Sequence, residues 1–68
     1  MKDEVFNMSV RKFLKAFGLN GQREIEQAVA RAIESHGIAG TERLPAHVTL
    51  QIPGLKFSWE FKGDIELQ

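Results

Sequence analysis

One stretch near the end of the chain constrains the fold more than any other part of the sequence. From Leu55 to Phe61 the odd positions are apolar and the even positions are polar, and the alternation resumes over Ile65–Leu67. Such a period of two predicts a β-strand whose aromatic residues, Phe57, Trp59 and Phe61, share one face. An apolar face of this kind needs a covering layer, and the helical segments upstream are the largest apolar surfaces available.

The segment Asp3–Phe17 is predicted to form a first helix that ends at Gly18. Its apolar residues recur at the helical spacing and form one stripe: Phe6, Val10, Phe13, Leu14 and Phe17. Val5 and Met8 lie off this stripe and make a smaller apolar strip with Met1. This strip is either ordinary exposed surface or a surface that binds a partner.

A second helix is predicted from about Gln22 to His36, after a break at Asn20 and Gly21. If Gly21 is the N-cap, Glu24 stands three residues later and completes half of a capping box. Gly37 is the expected C′ residue. The predicted buried stripe of this helix consists of Ile25, Ala28, Val29, Ala32 and Ile33.

A first strand is predicted over Ala46–Ile52, followed by a turn at Pro53 and Gly54. This turn places every apolar residue of the first strand opposite an apolar residue of the second. The predicted pairs are Ile52 with Leu55, Leu50 with Phe57, Val48 with Trp59, and Ala46 with Phe61. On the polar face His47 is expected opposite Glu60. A slip of one residue would move each apolar side chain to the other face, so the pattern strongly favours one register.

Gly63 leaves two arrangements open for the last residues. A three-residue loop over Lys62–Asp64 would create a short third strand in which Ile65 pairs with Phe61. Alternatively the chain continues straight through Gly63, and Ile65 and Leu67 overhang the first strand. We favour the third strand.

The expected fold is a single α+β domain over residues 1–68, with two layers in the order α-α-β-β and both helices packed on one face of an antiparallel hairpin sheet. Trp59 is expected at the centre of its core, in contact with the second helix.

Composition narrows the function classes. Nine basic and nine acidic residues cancel, whereas a nucleic-acid-binding surface usually has a basic excess. Cysteine is absent, so disulfides and thiolate metal sites are excluded. No apolar run approaches the roughly 20 residues of a membrane span, and charges such as Arg11 and Lys15 interrupt the first 17 residues, which argues against a signal peptide. We expect a cytoplasmic protein with no membrane association.

The two histidines are better explained by structure than by chemistry. His36 stands at a predicted helix end, where its charge suits the helix dipole, and no metal ligand occurs four residues before or after it. His47 and Glu60 resemble a solvent-exposed pair rather than an acid–base couple in a pocket. The sequence therefore predicts no enzyme, no metal site and no cofactor.

Two stretches, Val5–Lys15 and Gln22–Val29, resemble a family of small uncharacterised bacterial proteins, and the ending Gly63–Leu67 is similar as well. This family is a domain of unknown function of about 70 residues. The resemblance spans nearly the whole chain and implies no catalytic residues.

The leading prediction is a small non-enzymatic interaction or assembly module that forms a homodimer or binds an unknown protein. Its candidate partner surfaces are Val5 and Met8 on the first helix and Ile65 and Leu67 at the sheet edge. The alternative is a nucleic-acid-binding domain that uses the hairpin and the basic residues of the first helix, which are Arg11, Lys12 and Lys15. The balanced charge makes nucleic acid the weaker hypothesis.

Overall fold

The structure is a computed structural model that describes residues 1–68, in which one helix precedes a two-stranded antiparallel sheet. Helix α1 spans Asp3–Glu34, strand β1 spans Arg43–Ile52, and strand β2 spans Phe57–Glu66. A single 3₁₀ turn, Pro53–Leu55, connects the strands. The chain divides into two compact units, Met1–Ser35 and His36–Gln68.

The prediction of two helices is wrong, because α1 continues through Gly18, Asn20 and Gly21. A mid-helix glycine costs only about 1 kcal/mol relative to alanine, and a helix that is already formed gains a hydrogen bond with each added residue. Neither glycine has a positive φ angle. The Asn20 side chain donates to the Ala16 carbonyl oxygen at 2.8 Å, within the helix, and so caps nothing. The predicted N-terminus at Gly21 is therefore an interior turn of α1.

The end of α1 lies close to the predicted one but uses a different residue. The Ser35 N–H donates to the Arg31 carbonyl oxygen at 3.0 Å, and His36 then adopts a left-handed conformation with φ of 61°. The C′ residue is thus His36 and not Gly37. Histidine is one of the few residue types that are enriched at positive φ.

The predicted register of the hairpin is wrong by two residues. The observed partners on the apolar face are Ile52 with Phe57, Leu50 with Trp59, Val48 with Phe61, Ala46 with Gly63, and Leu44 with Ile65. The cause is the loop: the 3₁₀ turn takes three residues, and Lys56 closes it in a left-handed conformation with φ of 49°. The Lys56 N–H donates to the Pro53 carbonyl oxygen at 3.0 Å. A shift of two preserves the faces, so apolar residues still oppose apolar residues.

The favoured third strand is also wrong. Strand β2 continues through Gly63, as the alternative arrangement required. Because β1 begins at Arg43, three residues before the predicted start, Ile65 does not overhang but lies opposite Leu44. One further hydrogen bond, from the Leu67 N–H to the Glu42 carbonyl oxygen at 3.1 Å, extends the pairing beyond the strand ends.

The predicted fold class, with two helices in the order α-α-β-β, is corrected accordingly: the order is α-β-β, with one long helix in place of the two. The large apolar side chains remain substantially exposed in the single chain, and no side chain is fully buried. Trp59 is 51% exposed, so the prediction that it lies at the centre of a core is wrong for the isolated chain.

Candidate interaction surfaces

The continuous helix places most residues of the two predicted apolar stripes on one side, while Val29 and Ile33 lie further round the helix. Successive turns of this side are separated by three or four residues, spacings that keep side chains on one side of a helix. This surface, the α1 stripe, consists of Phe6, Val10, Phe13, Leu14, Phe17, Gly21, Ile25, Ala28 and Ala32. Its aromatic members are about half exposed; Phe13 is 57% exposed. The α1 stripe is an extended apolar surface about 40 Å long at 1.5 Å per residue.

Side-chain size is distributed unevenly along the α1 stripe. Large residues occupy its N-terminal half, whereas three of the four positions in its C-terminal half are glycine or alanine. The change occurs between Phe17 and Gly21. A Cβ atom added to Gly21 would lie 3.8 Å from Phe17 Cε1, so the ring leans toward the space beside that glycine.

The hairpin presents a second apolar surface, here called the aromatic face. Period-two geometry and the observed register place its residues on one side of the sheet. They are Leu44, Ala46, Val48, Leu50, Ile52, Phe57, Trp59, Phe61 and Ile65. The rings of Trp59 and Phe61 lie 5.6 Å apart between centroids with a tilt of 50°, a favourable aromatic arrangement.

The opposite face of the hairpin is polar. An Arg43–Glu66 ion pair and a Lys62–Glu60 ion pair at 3.5 Å lie on it, and all four side chains are well exposed. His47 lies opposite Lys62, so the predicted His47–Glu60 pair is not formed across the strands. The register shift of two residues accounts for this difference.

A carboxylate organises the loop before β1. The Glu42 side chain accepts backbone N–H groups from Ala39 at 2.8 Å, Gly40 at 2.9 Å and Thr41 at 3.1 Å. These hydrogen bonds, that from Ala39 first, lower the pKa of Glu42 below its ordinary value of 4.5. Gly40 allows the loop to close because it has a φ of 95°. No bound ligand is needed to explain this arrangement.

The residues predicted to form partner surfaces lie in both units. Val5 and Met8 are one turn apart on α1 and are 63% and 73% exposed, but their angular position is on the other side of the helix from the α1 stripe. Ile65 and Leu67 are half-buried at the end of the hairpin and are engaged with β1 and with Glu42. They therefore do not form a free overhang.

Sequence reasoning missed the unity of the α1 stripe. The signal was present, since the spacing of four residues from Phe17 to Gly21 and again to Ile25 continues the helical period across the predicted break. The continuity of the helix was missed because Gly18, Asn20 and Gly21 were interpreted as residues that end a helix.

The surface has few other features that could bind a ligand. A depression of about 310 Å³ at the start of α1 is lined by Lys2, Asp3, Glu4 and Val5. No three histidine, aspartate or glutamate side chains are grouped so as to hold a metal ion. Although α1 is 32 residues long, no part of it is apolar enough to cross a membrane.

Comparison with known proteins gives one match. Neither the curated proteins nor the solved structures include a significant match to the chain. A protein-family model described as "Family of unknown function (DUF6494)" matches residues 1–68, which confirms the resemblance to a family of uncharacterised proteins. The chain belongs to this family.

Proposed function

We propose that this protein is a non-enzymatic interaction module whose apolar surfaces are covered by association with a second copy of itself. The observation that carries the proposal is that each unit, taken by itself, presents large apolar side chains that are about half exposed. Phe13 and Phe17 of α1 are 57% and 49% exposed, and Trp59 and Phe61 of β2 are 51% and 56% exposed. A standard dimer interface covers about 800 Å² on each partner, and apolar surfaces of this kind are suited to form one.

The architecture of each unit supports the same proposal. A lone helix in water is stabilised mainly by packing of its apolar face, and an isolated two-stranded hairpin is at best marginally stable. The α1 stripe and the aromatic face both carry half-exposed aromatic rings. Each surface therefore gains stability from a further apolar layer.

A non-enzymatic role is supported by the arrangement of polar groups. His36 follows the end of α1 and His47 faces outward from β1 opposite Lys62. The one carboxylate with several hydrogen bonds, Glu42, is committed to backbone N–H groups of its own loop. The cytoplasmic location, the bacterial source and the partner role of Val5, Met8, Ile65 and Leu67 stay predictions.

The oligomeric state tests the proposal directly. Sedimentation equilibrium of the wild-type chain at about 100 µM, well above the dissociation constant of a micromolar complex, is expected to give a mass of twice 7.7 kDa or a higher multiple. A monomeric mass at this concentration would overturn the proposal, because the apolar surfaces would then be covered within one chain or not at all.

A further inference from the structure

Resting on the proposed self-association, we infer that two copies of the chain pair through the outer edges of their β2 strands, which lie antiparallel about a two-fold axis at Phe61. The two hairpins then form one four-stranded antiparallel sheet. The interface is isologous, because each copy contributes the same edge. The inference rests on the backbone groups of this edge and on the charges beside them.

The outer edge of β2 has backbone groups without a partner in the single chain. The Leu67 N–H donates to the Glu42 carbonyl oxygen, and residues that point inward alternate with residues that point outward along an antiparallel strand. The even-numbered residues of β2 therefore direct their N–H and C=O groups away from β1. They are Ser58, Glu60, Lys62, Asp64 and Glu66. Such a row of unpaired groups is a template for another strand.

The outer edge of β1 is less suited to pairing. The same alternation makes the odd-numbered residues of β1 point outward, and Pro45 is one of them. Proline has no N–H to donate and is one of the residues that protect a sheet edge. Strand β2 contains no proline. The two edges of the sheet therefore differ, and β2 has the edge that can accept a second copy.

Charge complementarity selects the register. With the axis at Phe61, Glu60 of each copy lies opposite Lys62 of the other, and this contact occurs twice. The further pairs on the polar face are Ser58 with Asp64 and Lys56 with Glu66. Every pair of charged residues in this register joins opposite charges, which is favourable for directly opposed side chains. Residues 57–65 of both strands are paired, so almost the whole of β2 takes part.

The neighbouring registers bring like charges together. An axis at Glu60 would place that carboxylate opposite its own copy. An axis at Lys62 would oppose the two lysines and would also place Glu60 opposite Asp64. An axis at Gly63 would place Glu60 opposite Glu66. Like charges directly opposite each other are destabilising, so the axis at Phe61 is favoured over these three.

The same register matches the aromatic face. Phe61 meets its own copy at the axis, and Trp59 of each copy lies opposite Gly63 of the other. Trp59 is 51% and Phe61 56% exposed in the single chain, so both rings have surface to cover. A large aromatic side chain opposite a strand glycine compensates for the side chain that glycine lacks. Phe57 opposite Ile65 completes the face, on which every opposed pair is free of polar side chains.

A matched pair of proline substitutions tests which edge is used. Ser58 and Gln51 are directly opposed across the hairpin, and both are uncharged and point their N–H groups outward. Proline at either position therefore removes no hydrogen bond between β1 and β2. Ser58→Pro is expected to weaken association at least about tenfold, because each copy loses a donor of the interface. Gln51→Pro is expected to leave association unchanged, and circular dichroism shows that each variant remains folded.

Charge reversal tests the register. Glu60→Lys and Lys62→Glu are each expected to weaken self-association in sedimentation equilibrium, because each places like charges opposite each other twice. An equimolar mixture of the two variants is expected to form a heterodimer, in which opposite charges are again opposed. With an axis at Lys62 or Gly63, Glu60→Lys would instead strengthen association, since it would bring a lysine opposite Asp64 or Glu66.

Cysteine crosslinking locates the axis, since the chain has no native cysteine. Phe61→Cys is expected to form a crosslinked homodimer on oxidation, because directly opposed residues of a pair without mutual hydrogen bonds lie about 4.5 Å apart between Cα atoms, within reach of a disulfide. Gly63→Cys is the control. Its two copies would lie about 14 Å apart along the strands, so it is expected to remain uncrosslinked.

The outcomes separate the inference from the proposed function. A crosslink in Gly63→Cys but not in Phe61→Cys indicates another axis and overturns the inference while self-association stands. A wild-type dimer that tolerates Ser58→Pro as well as Gln51→Pro, or that is strengthened by Glu60→Lys, also overturns the inference alone. A wild-type chain that remains monomeric at about 100 µM overturns both.

Discussion

Leu50 lies directly opposite Trp59 across β1 and β2, on the aromatic face of the hairpin. Directly opposed residues on one face of a sheet interact most strongly, with pair energies of about 0.2–1 kcal/mol. The register can therefore be measured in solution, because it determines which side chain opposes the tryptophan.

A double-mutant cycle on Leu50→Ala and Trp59→Ala is expected to give a coupling energy of about 0.5–1 kcal/mol in urea unfolding. The matched cycle on Val48→Ala and Trp59→Ala should give a smaller value, because Val48 is opposite Phe61. A larger coupling for Val48 would instead favour the register two residues away.

Lys56→Gly is expected to stabilise the hairpin. Lys56 has a φ of 49°, a left-handed conformation that costs a residue with a Cβ about 1–2 kcal/mol and costs glycine almost nothing. After subtraction of the greater backbone entropy of glycine, the free energy of unfolding should rise by about 0.5 kcal/mol. Lys62→Gly, within regular strand β2, serves as control and should be destabilising. A loss of stability in both variants would contradict the turn geometry.

Gly18→Ala is expected to raise helix stability by about 0.8–1 kcal/mol. Gly18 lies inside α1 at an ordinary helical φ, and a Cβ there meets no atom within 4 Å. Gly40→Ala is the opposite case, since φ is 95° at Gly40 and a side chain there is strained. Thermal unfolding followed by circular dichroism distinguishes them. A lower midpoint of thermal unfolding for Gly18→Ala would show that Gly18 is not helical, and would favour the arrangement with two helices.

The loop held by Glu42 should loosen in acid. Its folded-state pKa is lowered by hydrogen bonds, that from the Ala39 N–H first, so the stabilisation is present above the ordinary pKa of 4.5 and is lost as the pH falls through the lower folded value. Amide exchange at Ala39 and Gly40, corrected for intrinsic rates, is expected to accelerate across this range. In Glu42→Gln the protection should be weaker and should not vary over the same range. An unchanged pH profile in Glu42→Gln would show that another group is responsible.

Binding to duplex DNA or RNA should be weak at physiological salt. The polar face of the hairpin carries Glu60, Asp64 and Glu66 against Arg43 and Lys62. Phosphate backbones are bound by basic excess. The alternative, a nucleic-acid-binding domain, requires submicromolar binding that depends steeply on salt concentration. Such binding would be lost in a variant with Arg11, Lys12 and Lys15 changed to glutamine.

Local pattern was sufficient to determine the apolar and polar faces of this protein. The alternation around Trp59 correctly assigned the residues of Ala46–Ile52 and Phe57–Phe61 to their faces, because the period of two is a property of extended backbone itself. The helical spacing of Phe6, Val10, Phe13 and Phe17 likewise identified the apolar side of the first half of α1. The pairing of apolar with apolar residues across the hairpin followed from the same pattern.

The choice among arrangements with equivalent local patterns was decided only in the tertiary structure. Shifting the hairpin by two residues retains every face, so the alternation could not distinguish Leu50 from Val48 as the partner of Trp59; the Pro53–Leu55 turn and the left-handed Lys56 selected Leu50. Gly18 and Gly21 are compatible with either a helix end or a helix interior, because their cost of about 1 kcal/mol each is small beside cooperative helix propagation. Cooperative propagation depends on the whole length of α1. The identity of Gly18 and Gly21 alone therefore did not show that the helix continues through them.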